Sequence, residues 1–566
     1  MTRGFQQPTF AFAQKRVSSS VEKLTMPRNP EVCPAAFCPL SHFSNIASRV
    51  LRFLAPVFSS SCLLLVLLIT HHSGLITVHA QGTTATLSGT VTDQNGAVIP
   101  DVSIAVINIA QGFQRSATTN GEGDFVVPLL PPGNYTVKAE HEGFTPTEVR
   151  DVVLNVNDQV VMRIHMNVGT VSQTVQIVEG SSLINESPAV GTVVDRQFVA
   201  NLPLNGRSFQ SLITLTPGVV LTKTNVAQQG QFSINGQRPN TNYFTVDGVS
   251  ANIGASGSSV PGPSGAGALP GLSASGGTNN LVSIDALEEF RIQTSTYAPE
   301  FGRTPGAQVS IVTRSGTNRF RGSVFNYFRN DALDANDWFV NRAGQPKPAL
   351  RQNDFGGVLG GPIVKDRTFF FFSYEGLRLR QPQFGITDVP SLASRQVAPA
   401  AVQPLLNAYP KPNGLETTNG LARFSSGFSN PTTLNATSIR IDETVGSKLT
   451  LFGRYNYAPS ESVSRGGPTQ SLNTVTHFKV RTQTLTFGAI SLLSSKISND
   501  LRFNYSRNKA EGFFTVDDFG DAIVPADTTL FPQNQSSADG QFFLGIGSAA
   551  LFKGVAPAEL NDKLIL

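Results

Sequence analysis

Polar and apolar residues alternate with a period of two along the C-terminal half of this chain. In residues 448–457 the odd positions hold Leu, Leu, Gly, Tyr and Tyr, while the even positions hold Lys, Thr, Arg and Asn, interrupted only by Phe452. Residues 501–506 repeat the pattern, with Leu, Phe and Tyr on one face and Arg, Asn and Ser on the other. Such alternation is typical of transmembrane β-strands and also of soluble β-sandwiches. It predicts extended strands with one apolar and one polar face.

The composition agrees with a mainly β chain that lacks a nucleic-acid-binding surface. Among 566 residues there are 51 Gly and 35 Pro, which are the residues that separate short strands. The mean hydropathy of −0.04 is expected when alternation averages two unlike faces. Seven of the 43 Lys and Arg and two of the 39 Asp and Glu precede residue 81, so the remainder carries 36 basic and 37 acidic residues. This balance offers no basic surface for nucleic acid.

The N-terminal 80 residues read as a leader with a secretory signal peptide. Residues 62–70 form an uncharged apolar run preceded by Arg49 and Arg52, and cleavage is predicted between Ala80 and Gln81. The alternative is a membrane anchor, but nine residues are too short to cross a hydrocarbon layer of about 30 Å as a helix. The leader is long, so translation starts either at residue 1 or at the methionine at position 26.

Cysteine and histidine are too scarce in the mature chain for most covalent and metal chemistry. All three cysteines precede the predicted cleavage point, and the only later histidines are His141, His165 and His477, which are far apart. Disulfides, thiolate metal sites and Ser-His-Asp catalysis therefore find no support. We predict no catalytic residue, no metal site, no cofactor and no enzymatic activity.

Residues 86–166 contain short alternating segments separated by turns at 93–96, 120–123 and 131–134, which predicts a small β-sandwich. The segments Ser-Gly-Thr-Val-Thr-Asp, Gly-Asp-Phe, Leu-Leu-Pro-Pro-Gly-Asn-Tyr-Thr-Val and Glu-Gly-Phe resemble the carboxypeptidase regulatory-like domain, which is not catalytic. The acids Asp93, Glu122 and Asp124 lack the ligand spacing of a calcium loop and are interpreted as turn residues.

Several motifs follow the sandwich in a fixed order. Leu-Pro-Leu-Asn-Gly-Arg-Ser at 202–208 precedes two segments that end in the turn pairs Asn-Gly and Asp-Gly, and Val-Ser-Ile-Val-Thr-Arg-Ser-Gly-Thr-Asn follows at 309–318. Asn-Gly and Asp-Gly accept the positive φ angles of tight turns. The ordered series resembles the plug domain of TonB-dependent outer-membrane receptors, particularly the Oar-like branch. The plug signature residues are Asn205, Gly206, Arg207, Asn235, Gly236, Asp247 and Gly248.

The resemblance implies an α+β plug domain followed by a transmembrane antiparallel β-barrel. Residues 318–331 resemble the first barrel strand of Oar-like receptors. The barrel of these receptors is also resembled by residues 355–362 with 367–375 and by residues 439–442 with 452–456. We expect a short periplasmic turn within 442–448 and a long external loop over 382–437. Within the plug, residues 250–280 are dense in Gly, Ser, Ala and Pro, which predicts a flexible loop. The resemblance implies that this loop faces incoming ligand at the top of the plug, and a solvated insertion is the alternative.

The segment between sandwich and plug contains a candidate TonB box, as the resemblance implies. The candidate residues are Thr174, Val175, Gln176, Ile177 and Val178. Their β-propensity suits addition of a strand to the sheet edge of TonB in the periplasm. A final strand of the sandwich and a plain linker are the alternatives.

The expected organisation is therefore a leader (1–80), a sandwich (81–168), a linker (169–186), a plug (187–318) and the first strands of a barrel (319–566). The resemblance implies a receptor in the outer membrane of a Gram-negative-type bacterium, with the sandwich and TonB box in the periplasm. It would take up a scarce solute (an oligosaccharide, a peptide or a ferric chelate), with TonB and its inner-membrane energising complex as partners. The alternative function is a surface adhesin or carbohydrate-binding protein without active transport.

The number of predicted strands is small for such a barrel. Receptors of the resembled family close about 22 strands around the plug, and residues 319–566 supply a third to a half of them at about 10 residues per strand. An open sheet edge is unfavourable in lipid because unpaired backbone groups cost several kcal/mol each. We therefore expect the chain to be the N-terminal part of a longer barrel protein.

Overall fold

The structure is a computed structural model in which the chain divides into two compact units, Met1–Val78 and His79–Leu566. Every residue described below lies in the second unit. The described residues are 83–169, 176–178, 184–185, 190–196, 199, 210–221, 232–253, 273–274, 278–297, 305–417, 419–494, 497–555 and 559–565. The predicted leader and cleavage residues Ala80 and Gln81 lie outside them, as do Thr174, Val175, Asn205, Gly206 and Arg207.

The first domain is a two-layer β-sandwich. Its strands are β1 (Ala85–Asp93), β2 (Ser103–Asn108), β3 (Gln114–Thr118), β4 (Asp124–Leu130), β5 (Gly133–Glu140), β6 (Thr147–Leu154), β7 (Gln159–Met166), β8 (Gln176–Val178) and β9 (Ile184–Asn185). One sheet has the order β4-β1-β7-β9 and the other β3-β2-β5-β6-β8. Alternate residues such as Leu87, Ile104 and Val137 are fully buried between the sheets, as the sequence pattern predicts.

The second domain is a small α+β unit around a mixed sheet. Its strands are β10 (Val190–Asp195), β11 (Val219–Leu221), β12 (Phe232–Ile234), β13 (Tyr243–Val246), β14 (Val249–Ser250), β15 (Leu287–Ser295) and β16 (Gln308–Thr313). Five of them form a sheet with the order β10-β15-β16-β13-β14, while β11 pairs with β12. Short helices occupy Gln210–Ile213, Pro239–Thr241, Thr278–Asn280 and Ile284–Ala286. Phe290 and Ile292 of β15 are fully buried in its core.

The remaining strands form one large antiparallel sheet. They are β17 (Arg321–Asn330), β18 (Arg351–Val364), β19 (Thr368–Pro390), β20 (Leu421–Val445), β21 (Leu449–Gly467), β22 (Gln470–Leu492), β23 (Ser498–Val516), β24 (Gln541–Ile546), β25 (Ala549–Val555) and β26 (Glu559–Ile565). Strands β17 to β23 pair consecutively, and β26 pairs with β23. Short helices at Asp331–Leu333, Trp338–Arg342, Leu392–Val397, Gln403–Asn407 and Asp527–Leu530 lie in the longer connections.

The sheet is open within the described part of the chain. There, β17 pairs only with β18, and β26 pairs only with β23. The hairpin of β24 and β25 joins the far end of β23 through the pairs Phe513–Val555 and Phe514–Gly554. Among these residues, no helix is long and apolar enough to cross a membrane.

The predicted external loop over 382–437 is too long. Strand β19 continues to Pro390, β20 begins at Leu421, and these two residues are register partners at the end of one continuous ladder. Even Pro431 lies within the ladder, opposite Arg380. The Pro- and Asn-rich composition predicted a loop, but a neighbouring strand supplies backbone partners that composition cannot show. The connection proper is 391–420, whereas the opposite end of the sheet has the short turn 446–448.

The large sheet has its polar face buried and its apolar face exposed. Asn504, Ser506 and Asn508 of β23 are at most 1% exposed, because this face packs against the second domain and neighbouring side chains. On the opposite face, Leu501 is 58% exposed and Phe487 of β22 is 55% exposed. A soluble sandwich buries the apolar face instead, so this polarity resolves the ambiguity of the alternating pattern. The sheet is built to face an apolar medium on its outside.

Candidate functional site

The second domain contacts the wall of the large sheet through a buried carboxylate. Asp247 and Gly248 form the two-residue turn between β13 and β14, and both have positive φ (50° and 82°), as an Asp-Gly hairpin turn requires. The Asp247 carboxylate is 2% exposed. It accepts hydrogen bonds from the backbone N–H of Thr313 (2.9 Å) and from its hydroxyl (2.9 and 3.0 Å). The parallel pairing of β13 with β16 places these two residues together.

Two arginines of the wall converge on Asp247. Arg440 of β20 and Arg454 of β21 are direct register partners. The Arg440 Nη1 atom lies 3.1 Å from Asp247 Oδ1, and the Arg454 Nη1 atom lies 3.8 Å from Oδ2. Like charges opposite each other on neighbouring strands repel. The carboxylate of Asp247 therefore supplies a counter-charge that both arginines share.

Each arginine also has partners of its own. Arg440 donates to both carboxylate oxygens of Asp442, two residues along β20, over 2.8 to 3.1 Å. Arg454 donates to the carbonyl oxygen of Leu281 in the second domain (2.6 Å) and to the hydroxyl of Ser438 (3.1 Å). These additional hydrogen bonds satisfy the guanidinium groups, which is the condition under which a buried ion-pair network is tolerated.

Phe452 lies on the polar face because it stacks with arginine. Its ring is 4.5 Å from the guanidinium carbon of Arg440 and 4.9 Å from that of Arg502, measured to the ring centroid. Its register partner on β22 is Gly488, where a Cβ atom would stand 2.1 Å from the Phe452 ring. Arg502 also donates to the backbone oxygen of Asp247 (3.3 Å) and pairs with Asp500 at 2.7 Å. The single interruption of the alternating pattern is thus part of this polar cluster.

A second group of polar contacts joins the same domain to the wall. Asn279 donates to Glu375 of β19 (2.6 Å), and Asn280 donates to the hydroxyl of Thr482 on β22 (3.2 Å). The side chain of Asn456 on β21 donates to the backbone oxygen of Asn280 (2.9 Å). These contacts come from the C-terminal end of the predicted Gly-rich loop, most of which lies outside the described residues. These hydrogen bonds add to the apolar contact that the core of the domain makes with Val358 and Phe371 of the wall.

The sandwich is attached to the second domain through a further set of buried polar contacts. Arg291 of β15 pairs with Asp158 at 2.8 Å, with the two side chains 6% and 4% exposed, and also donates to the carbonyl oxygen of Val156 (2.7 Å). Asn185 of β9 donates to the same Asp158 oxygen, Oδ1, at 2.7 Å. Glu289 accepts the backbone N–H of Val156. Burial raises the pKa of Glu289 to about 8 against the lowering effect of that hydrogen bond.

The predicted site residues lie at different places in the structure and make different contacts. Asn235 and Gly236 form a turn after β12 with φ of 49° and 76°, and Asn235 donates to the carbonyl oxygen of Thr294 (3.2 Å). Asp247 is the only member of the predicted plug signature that contacts the wall arginines in the described structure. Gln176–Val178 of the candidate box form β8, which pairs in parallel with Thr147–Val149 at the edge of the sandwich.

Sequence reasoning missed Arg440, Asp442 and Arg454 as contributors to this site. Arg454 was recognised only as a polar-face residue, and Phe452 only as an interruption of the pattern. A usable signal was present, because charged residues on the enclosed face of a barrel strand need partners. The partner domain and the register needed to identify Asp247 as that partner are not visible in local sequence.

Comparisons with known proteins agree with this architecture. Residues 86–167 match the family described as carboxypeptidase regulatory-like domain. Residues 312–398 and 394–555 match the family described as outer membrane beta barrel domain. The TonB-dependent transporter Oar of Myxococcus xanthus is 30% identical over 306 residues, which are 51% of this chain and 26% of Oar. The chain thus spans about a quarter of the length of that relative.

Two solved structures of outer-membrane proteins are similar to this one. The outer membrane transporter YddB from Escherichia coli has a TM-score of 0.41 and 12% identity, covering 67% of this chain and 45% of YddB. The siderophore receptor PirA from Acinetobacter baumannii has a TM-score of 0.34 and 14% identity, covering 58% of this chain and 45% of PirA.

The family matches and the inverted polarity of the large sheet together indicate an outer-membrane β-barrel protein. We call its second domain the plug, after the domain that its sequence motifs resemble. About half of the chain is similar in sequence to the TonB-dependent transporter Oar. The chain is therefore similar to the Oar-like branch of TonB-dependent receptors, and a region that matches the carboxypeptidase regulatory-like domain precedes its second domain.

Proposed function

We propose that this protein takes up a scarce solute across the outer membrane in a TonB-dependent manner. The observation that carries the proposal is the polar attachment of the plug to the barrel wall, centred on Asp247, Arg440 and Arg454. Hydrogen bonds and ion pairs can be exchanged for water at little net cost, whereas an apolar core cannot be opened in this way. The apolar contact with the wall involves Val358 and Phe371 in the core of the plug. We expect a plug attached mainly by exchangeable polar groups elsewhere to block the lumen at rest and to be separable from the wall.

The proposed point of engagement by TonB is the segment around β8. An edge strand offers its free backbone groups to a second sheet, and recognition by strand addition depends mainly on main-chain hydrogen bonds. In the resting structure, Gln176–Val178 pair with Thr147–Val149 of β6 over three residues. TonB binding would exchange this short pairing for a pairing with TonB, and both the sandwich and this segment would then lie in the periplasm.

Force applied at β8 has a direct route to the plug. The same segment continues through Asn185, whose side chain is bonded to Asp158, and Asp158 is paired with Arg291 of the plug. It then enters β10, which pairs with β15 beside Arg291. A pull on the segment therefore loads first the sandwich edge, then the Asp158 contacts, and then an outer strand of the plug sheet.

Site-specific disulfide crosslinking tests the engagement. No cysteine occurs after Cys62, so Gln176→Cys introduces a unique thiol into the secreted part of the chain. We expect this variant to crosslink to a TonB periplasmic domain that carries a single cysteine. The matched control is Val126→Cys, at a sandwich strand residue that is 59% exposed on the other sheet. Equal crosslinking of the two variants would show that β8 is not the site of engagement.

Uptake measurements test the transport itself. Cells are supplied with labelled oligosaccharides, peptides and ferric chelates, with and without a proton-motive force. We expect accumulation of one class to require the proton-motive force and to be lost when residues 170–180 are deleted. Energised uptake that survives the deletion contradicts the proposal, and surface binding that is indifferent to energy favours a passive adhesin.

A further inference from the structure

A polar cavity of about 330 Å³ lies where the sandwich, the plug and the barrel wall meet. This volume is at the lower end of the range for small-ligand sites, about 300–1,000 Å³. Five arginines and three acidic residues line the cavity. Neutral hydrogen-bonding groups, including Thr83 and Thr444, line it as well. The cavity therefore combines room for a small solute with an excess of positive charge.

Two of the five arginines are already neutralised. Arg440 pairs with Asp247 and Asp442, and Arg502 pairs with Asp500. The other three, Arg196, Arg314 and Arg321, form no ion pair with any carboxylate in the part of the chain that the structure describes. The only further acid in the lining is Glu288. The excess positive charge is thus carried by the guanidinium groups of Arg196, Arg314 and Arg321, which we call the arginine triad.

Arg314 is the fixed member of the arginine triad. It is 8% exposed, its Nη1 atom donates to the backbone oxygen of Asp285 (2.8 Å), and its guanidinium lies 4.7 Å from the ring centroid of Phe371. Burial, together with the charges of Arg196 and Arg321, lowers the pKa of Arg314 to about 10, against the opposing effect of Glu288 and Asp285. Both neighbours are therefore close enough to repel Arg314. A guanidinium held by backbone and ring contacts keeps its remaining donors available for a ligand.

Glu288 compensates the arginine triad only weakly. Burial raises the pKa of Glu288, although the charges of Arg314 and Arg196 act in the opposite direction. A carboxyl group whose ionisation is opposed by burial is a poor counter-ion for three cations. An oxyanion in the cavity would relieve the repulsion within the triad and would bind through charge-assisted hydrogen bonds.

We propose that this cavity is a binding site for a small oxyanion, such as phosphate or a carboxylate-bearing solute, held by Arg196, Arg314 and Arg321. The site lies on the sandwich side of the plug, away from the contacts of Asn279 and Asn280. The proposal concerns equilibrium binding and does not depend on transport. Its test is therefore independent of the test for TonB-dependent uptake.

The experiment measures thermal unfolding of the full chain in detergent during titration with inorganic phosphate, and in parallel with citrate. Sodium chloride at matched ionic strength accounts for general screening of charges. We expect a saturable rise in Tm with at least one oxyanion beyond that produced by chloride, since a ligand that binds only the folded state stabilises it. Phosphate and citrate distinguish a phosphate-type from a carboxylate-type ligand.

Substitutions distinguish specific oxyanion binding from non-specific stabilisation, because two of them should change the half-saturating concentration in opposite directions. Arg314→Gln is expected to raise the half-saturating concentration by about 10-fold or more, the equivalent of one charge-assisted hydrogen bond. Glu288→Gln is expected to lower it, because the competing carboxylate is removed. Arg150→Gln is the matched control, since Arg150 pairs with Glu148 on the sandwich and is 49% exposed.

If Arg314→Gln disturbs folding, Arg196→Gln and Arg321→Gln replace it, since both arginines are exposed. Isothermal titration calorimetry then measures the binding constant directly. A Tm rise that chloride reproduces at matched ionic strength overturns the proposal. So does oxyanion binding that is unchanged in all three arginine variants, or a Glu288→Gln variant that binds more weakly while folding normally.

Discussion

Arg440 and Arg454 face each other directly across β20 and β21, and the carboxylate of Asp247 lies between them. Two adjacent strands of the barrel wall thus carry opposed cations, and their counter-charge comes partly from Asp442 of β20 and partly from Asp247 of another domain. The arrangement explains why a turn residue of the plug is 2% exposed and fully engaged. It also makes the stability of this part of the wall dependent on the plug.

Removal of the Asp247 charge should loosen the plug. Asp247→Asn leaves Arg454 without the carboxylate it faces, while Arg440 keeps Asp442. Loss of one partner of a buried pair typically costs about 3–5 kcal/mol. We expect a lower unfolding temperature and faster proteolysis of the plug. The control is Asp388→Asn, because Asp388 pairs at 3.8 Å with a 57% exposed Arg423 and should contribute at most about 1 kcal/mol. Similar behaviour of the two variants would refute the central role of Asp247.

Gly488 and Phe452 should behave as one packing unit. A Cβ at Gly488 would stand 2.1 Å from the Phe452 ring, so Gly488→Ala forces the ring away from Arg440 and Arg502. We expect Gly488→Ala to destabilise the fold by about 1–3 kcal/mol, as overpacking does. In the double variant with Phe452→Ala the added methyl group has space, so its cost should largely vanish. A double-mutant cycle measures this coupling, and strictly additive effects would contradict it.

The contact between sandwich and plug should weaken as pH rises. The pKa of Glu289 is raised from its usual 4.5 to about 8 in the folded protein, so its stabilising contribution is fully present below about 4.5. That contribution is lost as pH rises through about 8, because the unfolded chain releases the proton more readily. We expect Glu289→Gln to be less pH-dependent in thermal unfolding than the wild-type chain. Glu122→Gln, at an exposed sandwich turn, is the control and should keep the wild-type profile.

Loss of Arg291 should release the sandwich from the plug. Arg291→Gln leaves Asp158 with hydrogen bonds from Asn155 and Asn185 but without its buried cation. We expect faster proteolytic cleavage between the two domains and a loss of about 3 kcal/mol, near the lower end for a broken buried pair. Arg150→Gln serves as the control, since its partner Glu148 lies in an exposed pair within the sandwich. Unchanged proteolysis in Arg291→Gln would show that other contacts hold the domains together.

Much of the architecture follows from local sequence patterns. Period-two alternation with Gly, Asn and Pro turns predicted the sandwich strands, and both turn pairs of the plug adopt the positive φ angles that Asn-Gly and Asp-Gly indicate. The alternation at 448–457 and 501–506 predicted strands β21 and β23. These features are readable because a strand's two faces and a turn's φ angles depend on residues close together in the chain.

Other features depend on which distant segments meet. The composition of 382–437 indicated a loop, but pairing between β19 and β20 makes much of it strand. Gln176–Val178 have β-propensity, but their place beside β6 depends on a partner about 30 residues away. The same alternating pattern fits a soluble sandwich and a membrane barrel, and the buried polar face distinguishes the two.

The sequence alone determined the mainly β class and the residues able to form tight turns, because each of these follows from neighbours in the chain. The tertiary structure was needed to join Asp247 to Arg440 and Arg454, to place Phe452 between two guanidinium groups, and to assemble the arginine triad around one cavity. The reason is physical. Electrostatic interactions act through space, so their partners are determined by the packing of the domains and the register of the strands.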